Sequence, residues 1–258
     1  MPNAASCCGS TSSAAPCTGR PALDGALESV ETITLDRHVG AVAPVACGGY
    51  VLAAGKGFLC VDDGGVVREL AQPAGGSGDV RMNDGACDAH GRFWAGTMAY
   101  DESPGAGALY RLELDGSCTT VLTGLTISNG IGWSPDGATM FLVDSGTARI
   151  DAFDFDASSG DISRRRTIVA IEEPGVAPDG LTVDEDGGIL VALWGGGAIR
   201  RYGLEGALLT TVPLPVDRPT SCAFGGRDRS TLFVTTRPAW AGRCGLVPTA
   251  TRQMRFPD

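Results

Sequence analysis

Pro178-Asp179-Gly180-Leu181-Thr182-Val183-Asp184-Glu185-Asp186-Gly187-Gly188-Ile189-Leu190-Val191-Ala192-Leu193 is a unit that recurs along this chain. Earlier copies open at Asn83-Asp84-Gly85 and Ser128-Asn129-Gly130, and each leads into a second turn, Asp88-Ala89-His90-Gly91 and Ser134-Pro135-Asp136-Gly137. An apolar run closes each of them, Arg92-Phe93-Trp94-Ala95-Gly96 and Met140-Phe141-Leu142-Val143-Asp144. A weaker fourth copy starts at Thr220-Ser221-Cys222, passes Phe224-Gly225-Gly226 and ends in Leu232-Phe233-Val234-Thr235. Gly85 to Gly130 is 45 residues and Gly130 to Gly180 is 50. Strands and Gly/Asp turns repeating at that period are the signature of propeller blades. The repeat sets Asp84, Asn129, Asp179 and Ser221 in equivalent positions, at the start of inner strands that converge on one central channel. Carboxylates and an amide meeting at such an axis point to a hard-cation site.

Around these repeats the rest of the chain reads as strands. Val30-Glu31-Thr32-Ile33-Thr34-Leu35 alternates apolar and polar residues. Gly49 to Ala54 and Gly57 to Val61 form a strand pair across a Gly-Lys turn, and Val66 to Leu70 follows. Ile150 to Asp156 alternates strictly and turns through Ser158-Ser159-Gly160 into Ile162-Ser163-Arg164-Arg165-Arg166, whose arginines are expected on a solvated strand face. No stretch sustains a helical period. The fold class is all-β. Residues 1–30 stand apart: Met1 to Gly19 is rich in Ser, Ala, Cys, Gly and Thr and has no Leu, Ile, Val or aromatic residue, so a disordered or atypical tail is expected there. Residues 31–258 are expected to form a single propeller domain.

Composition narrows the function. With 258 residues and 43% hydrophobic content the chain can bury a substantial core. A net charge of −10 argues against nucleic-acid or anionic-membrane partners. Lys56 is the sole lysine among 20 basic residues. Nine cysteines are scattered, with no C-x-x-C pair and no zinc spacing to His38 or His90, which fits thiols in a reducing cytoplasm. Met1-Pro2-Asn3-Ala4-Ala5 has no basic start or apolar stretch of a signal peptide, and no run reaches the ~18 apolar residues of a membrane span. There is no G-x-S-x-G elbow or phosphate loop; Gly195-Gly196-Gly197 joins strands. What remains is oxygen-ligand chemistry around a divalent cation, with a carboxylate to handle protons. Asn-Gly and Asp-Gly are also the commonest tight-turn dipeptides. Here Asp136-Gly137 and Asp186-Gly187 already supply the turns, which leaves Asp179 free to point inward.

Arg81-Met82-Asn83-Asp84-Gly85, Gly91-Arg92-Phe93-Trp94-Ala95-Gly96-Thr97-Met98, Ser128-Asn129-Gly130-Ile131-Gly132-Trp133-Ser134 and Pro178-Asp179-Gly180 resemble motifs of the regucalcin/gluconolactonase (senescence-marker-protein-like) family. So do Val143-Asp144-Ser145, Leu214 to Cys222 and Phe224-Gly225-Gly226, and the resemblance runs from about residue 33 to 236. It implies a six-bladed β-propeller with one divalent metal ion (calcium, zinc, manganese or magnesium) at the top of the channel, hydrolysing sugar lactones. By motif, Asn129 is implied as a metal ligand and Asp179 as both ligand and general base. Arg81, Asn83 and Asp101 are implied as contacts of the sugar substrate.

The chain departs from the family in two places. The family's first ligand, a Glu in a G-E-G/S-P motif, has no counterpart, since Glu28 and Glu31 stand in another context and the expected position falls at or before Met1. After Thr236 the closing strand is not recognisable, so the first and last blades are expected to be incomplete, with four or five well formed. The intact Asn83, Asn129 and Asp179 favour a metal-dependent lactonase as the leading reading, and organophosphate esters or other lactones are substrates the same scaffold would admit. A non-catalytic calcium or small-ligand binder, or a truncated inactive relative, is the alternative.

Overall fold

The structure, a computed structural model, describes residues 17–18, 32–74, 78–226 and 228–237. These residues form an all-β fold. A short antiparallel pair, β1 (Cys17–Thr18) with β2 (Thr32–Ile33), precedes four four-stranded antiparallel meanders. The first is β3 (Val39–Pro44), β4 (Tyr50–Ala54), β5 (Gly57–Val61) and β6 (Val67–Ala71). The second is β7 (Val80–Cys87), β8 (Phe93–Ala99), β9 (Gly107–Leu112) and β10 (Cys118–Leu125). The third is β11 (Ser128–Trp133), β12 (Thr139–Asp144), β13 (Arg149–Asp156) and β14 (Asp161–Ala170); the fourth is β15 (Ala177–Val183), β16 (Ile189–Trp194), β17 (Ala198–Tyr202) and β18 (Leu208–Pro213). A hairpin of β19 (Pro219–Gly225) and β20 (Thr231–Thr236) follows. Among the described residues no helix is long and apolar enough to cross a membrane.

The first strands β3, β7, β11, β15 and β19 lie side by side in chain order, and the sheets stack face to face behind them. The arrangement is propeller-like. It explains why β8, β12 and β16 read as unbroken apolar runs rather than as alternating strands: each is buried on both faces. Phe93 and Ala95 pack toward the first sheet, with Phe58 and Ala53, whereas Trp94 between them packs toward Met140, Leu142 and Phe153 of the third. Phe141 and Val143 face Ile189, Val191 and Leu193, and on the far side Leu190 and Ala192 meet Cys222, Leu232 and Val234. Arg92 adds a polar tie. It is nearly fully buried and its Nε donates to Asp88 Oδ2 at 2.5 Å, while its Nη2 donates at 2.7 Å to the carbonyl of Ala157 in the next sheet.

The arginine run falls on β14, where Arg164 and Arg166 pair with Asp154, and Arg165 with Asp151, so the exposed face is laced with cross-strand ion pairs. Strand β3 is an inner strand that the sequence pattern does not announce. The expected tail lies outside the described residues except for Cys17–Thr18, which pairs with Thr32–Ile33. The region beyond Arg237 lies outside them as well.

Candidate functional site

Every inner strand carries a break in register near its start: between Met82 and Gly85 in β7, Ser128 and Ile131 in β11, Pro178 and Leu181 in β15, Pro219 and Ser221 in β19, and Val39 and Ala41 in β3. A bulge inserts an unpaired residue, bends the strand and re-aims its side chains. Asn83, Asp84, Asn129, Asp179 and Thr220 all sit in these bulges. The motif glycines therefore do not make tight turns. Gly85, Gly130 and Gly180 lie within strands and are absent from the left-handed backbone region, which is occupied instead by Gly91, Gly137 and Gly187 in the hairpin turns.

The motif glycines permit close approach. A Cβ on Gly130 would lie 2.4 Å from the Leu181 backbone nitrogen, and one on Gly180 would lie 2.2 Å from Ser221 Oγ. Gly40 abuts the Asn83 carbonyl in the same way. Bare Cα atoms thus let neighbouring inner strands touch, which draws the bulge side chains into one buried group.

Asp179 is at the centre of that group and only 6% exposed. Burial pushes its carboxyl well above the usual carboxylate range, and the negative charge of Asp84 pushes it further. A hydrogen bond from the Asn129 side chain, the Gly180 N–H and the charge of Arg81 pull the other way. The structure thus brings Asp84, Asn129, Asp179 and Arg81 within electrostatic reach of one another. Asn129 is positioned through Ser145: its Nδ2 donates to Ser145 Oγ at 2.9 Å, and that hydroxyl donates to the Pro178 carbonyl at 2.5 Å. Asn83 Nδ2 donates to the Ser128 carbonyl at 2.8 Å, and its Oδ1 accepts from Arg81 Nη1 at 2.7 Å. Asp84 Oδ1 accepts from the Gly85 N–H at 2.8 Å.

Ser221 is buried, with its hydroxyl against Gly180. Asp101 stands apart. It lies in an exposed turn beyond β8, at the sheet end where Ala99 pairs with Val80 beside Arg81, and its carboxylate accepts from the Ser103 N–H at 3.0 Å. Ser145 was given no role by sequence reasoning; its signal is its place in the Val143-Asp144-Ser145 motif at the end of the apolar run. Among the described residues no three Asp, Glu, His or Cys side chains draw together. The group instead offers the carboxylates of Asp84 and Asp179 and the amides of Asn83 and Asn129, whose oxygens are hard donors, and burial, with the Asp84 charge beside it, pushes the Asp179 carboxyl upward, which a cation would relieve.

Stacked antiparallel meanders whose bulged inner strands carry buried carboxylates and amides define a propeller-like protein with a polar centre at one end of its inner strands. The family profile described as the SMP-30/Gluconolactonase/LRE-like region matches residues 21–237, and the chain belongs to that family. It is 38% identical over 214 residues to regucalcin of Danio rerio, covering 81% of this chain and 72% of the relative. Against regucalcin of Sus scrofa it is 39% identical over 235 residues, covering 88% and 76%. Among solved structures, the calcium-binding protein regucalcin from Agrobacterium tumefaciens superposes with a TM-score of 0.76 at 29% identity, over 82% of this chain and 72% of that one.

Proposed function

We propose that this chain is a divalent-cation-dependent hydrolase of sugar lactones, a six-bladed β-propeller over residues 31–258 with residues 1–30 as an appended tail, working in the cytoplasm on a small-molecule substrate. The observation that carries the reading is the environment of Asp179, whose carboxyl is raised by burial and by Asp84 while Asn129 and Arg81 hold it in place. A buried carboxylate held in a fixed setting is positioned to take a proton from an attacking water, as general-base catalysis requires. Asn129 and Asp179 would hold the cation (calcium, zinc, manganese or magnesium), with Asp84 adding negative charge beside them. When bound, the cation would supply Lewis-acid polarisation of the lactone carbonyl and a more acidic water.

Asp179 takes the proton of the attacking water as its oxygen bonds to the carbonyl carbon. The ring C–O bond then breaks, and the departing oxygen regains a proton to become the hydroxyl of the open acid. Arg81 and Asn83, already joined to each other, orient sugar hydroxyls, and Asp101 does so from the rim.

A second reading, a calcium or small-ligand binder without turnover, is favoured by one observation: among the described residues the group holds two carboxylates, and no third acidic side chain joins them. The test is hydrolysis of gluconolactone by metal-loaded and EDTA-treated protein. Asn129→Ala should weaken activity in a way that excess cation partly restores, whereas Ser221→Ala should matter far less. Equal rates with and without metal would overturn the metal-lactonase reading, and calcium titration would then decide the binder.

A further inference from the structure

Trp194 closes β16 and is flanked by two guanidinium groups: Arg218 Cζ lies 5.4 Å from its ring centroid and Arg237 Cζ 5.6 Å. The two arginines flank the open end of the last hairpin, where Pro219 pairs with Thr236, and the Arg237 N–H donates to the Arg218 carbonyl at 2.9 Å. Stacking on an indole fixes an arginine's plane and leaves its N–H edge free for a partner. Among the described residues neither arginine is in an ion pair, although the chain as a whole carries a net charge of −10. Two unneutralised cations at one place in an acidic protein form a local positive site.

The place matters. Trp194 pairs in register with Ala177, two residues before Asp179, and the β19 that Arg218 introduces carries Ser221 against Gly180. At a strand rise of about 3.3 Å per residue, the register offsets Trp194 from Asp179 by roughly 7 Å along the strand direction. An offset of that order is within reach of a six-carbon sugar chain, and Trp194 is at the same end of the sheets as Asp179 and Asn129.

We propose that Arg218 and Arg237, held by Trp194, bind an anionic group, carboxylate or phosphate, at the far end of the lactone substrate, so that the preferred substrates are acidic sugar lactones. This rests on the lactonase reading above and adds the substrate's charge to it. Paired N–H donors at fixed orientation are the usual means of holding either anion.

The experiment compares kcat/KM for three probes: neutral gluconolactone, glucarolactone with its free carboxylate, and gluconolactone phosphorylated on its terminal hydroxyl. Each is run on the wild-type chain, Arg218→Gln and Arg237→Gln at low and high salt. The expected result is a preference of about tenfold or more for one anionic probe, carried in KM, weakened by salt and lost in either variant, with the neutral probe unchanged. Which anionic probe shows it distinguishes carboxylate from phosphate. If gluconolactone is hydrolysed with no preference for charge, or the variants slow all three probes equally, the proposal is overturned while the lactonase reading stands. If no lactone is hydrolysed, titration with the open acids decides: tighter binding of glucarate or the phosphorylated acid than of gluconate, lost in both variants, upholds the anion site, and equal binding overturns it.

Discussion

A Cβ placed on Gly130 would lie 2.7 Å from the carbonyl oxygen of Asp179, so the backbones of β11 and β15 meet at the point where the Asp179 carboxylate leaves its strand. Since the obstructing atoms are backbone, they have no rotamer by which to yield. Gly130→Ala is expected to destabilise the fold by about 1–3 kcal/mol, the usual cost of overpacking, and to lower lactone hydrolysis by displacing Asp179. Urea unfolding reads the first effect and steady-state kinetics the second.

Asp179→Asn keeps the shape and removes the charge and the base. Hydrolysis of gluconolactone should fall by about 10²- to 10⁴-fold, the usual contribution of a positioned base. Burial and Asp84 both disfavour the ionised carboxyl, so the metal-free variant should melt higher than the metal-free wild type at neutral pH. Added cation should raise the wild-type midpoint more than the variant's.

Asn83 serves both the site and the join between sheets. Asn83→Ala leaves the Ser128 carbonyl without its donor and should cost about 1–3 kcal/mol in chemical denaturation. It should also raise KM for the sugar lactone, because Arg81 loses the partner that orients it.

Cys222 is fully enclosed, and burial pushes its thiol from 9.0 to about 12. A group raised on folding keeps its proton in the native state after the unfolded chain has lost it. Its stabilising contribution is whole below about pH 9 and is lost as pH rises from there toward 12. Over that window stability should fall by up to about 1.4 kcal/mol per pH unit more steeply in the wild type than in Cys222→Ala. Denaturation midpoints at a series of alkaline pH values test the difference in slope.

The Arg92–Asp88 pair is buried and further bonded to the Trp94 indole and the Ala157 carbonyl. Arg92→Met leaves Asp88 charged and uncompensated and should cost about 3–5 kcal/mol. Hydrolysis at low temperature should change little, since neither residue belongs to the group around Asp179.

Much of this was legible from the chain. The periods of 45 and 50 residues and the apolar runs at β8, β12 and β16 announce stacked sheets, and the repeat singles out Asp84, Asn129 and Asp179, which the structure gathers. What escaped depends on relations between strands rather than within them. A bulge is a mismatch of register with a partner strand, so the one at Asn83-Asp84-Gly85 is not visible until β8 is laid beside it. Strand β3 has Gly40 and Pro44 and no Asx-Gly, and it is recognisable as an inner strand only from the Asn83 backbone that Gly40 admits. The Trp194 stack joins three segments of chain, and no local pattern links them.

The two-sided burial of β8, β12 and β16 has a bearing on how the molecule comes apart. A sheet held by a neighbour on each face opens only when two contacts are lost together, whereas among the described residues the β19–β20 hairpin packs against the fourth sheet alone. Amide hydrogen exchange should accordingly run inward from the hairpin, with the amides around Phe141 and Val143 the last to exchange. Arg218 and Arg237 ride on the part that loosens first, while Asp179 belongs to the part that loosens late. The proposed anion site and the group around Asp179 are therefore built on segments of unequal persistence, and gentle denaturant should abolish the expected preference for charged substrates before it abolishes turnover.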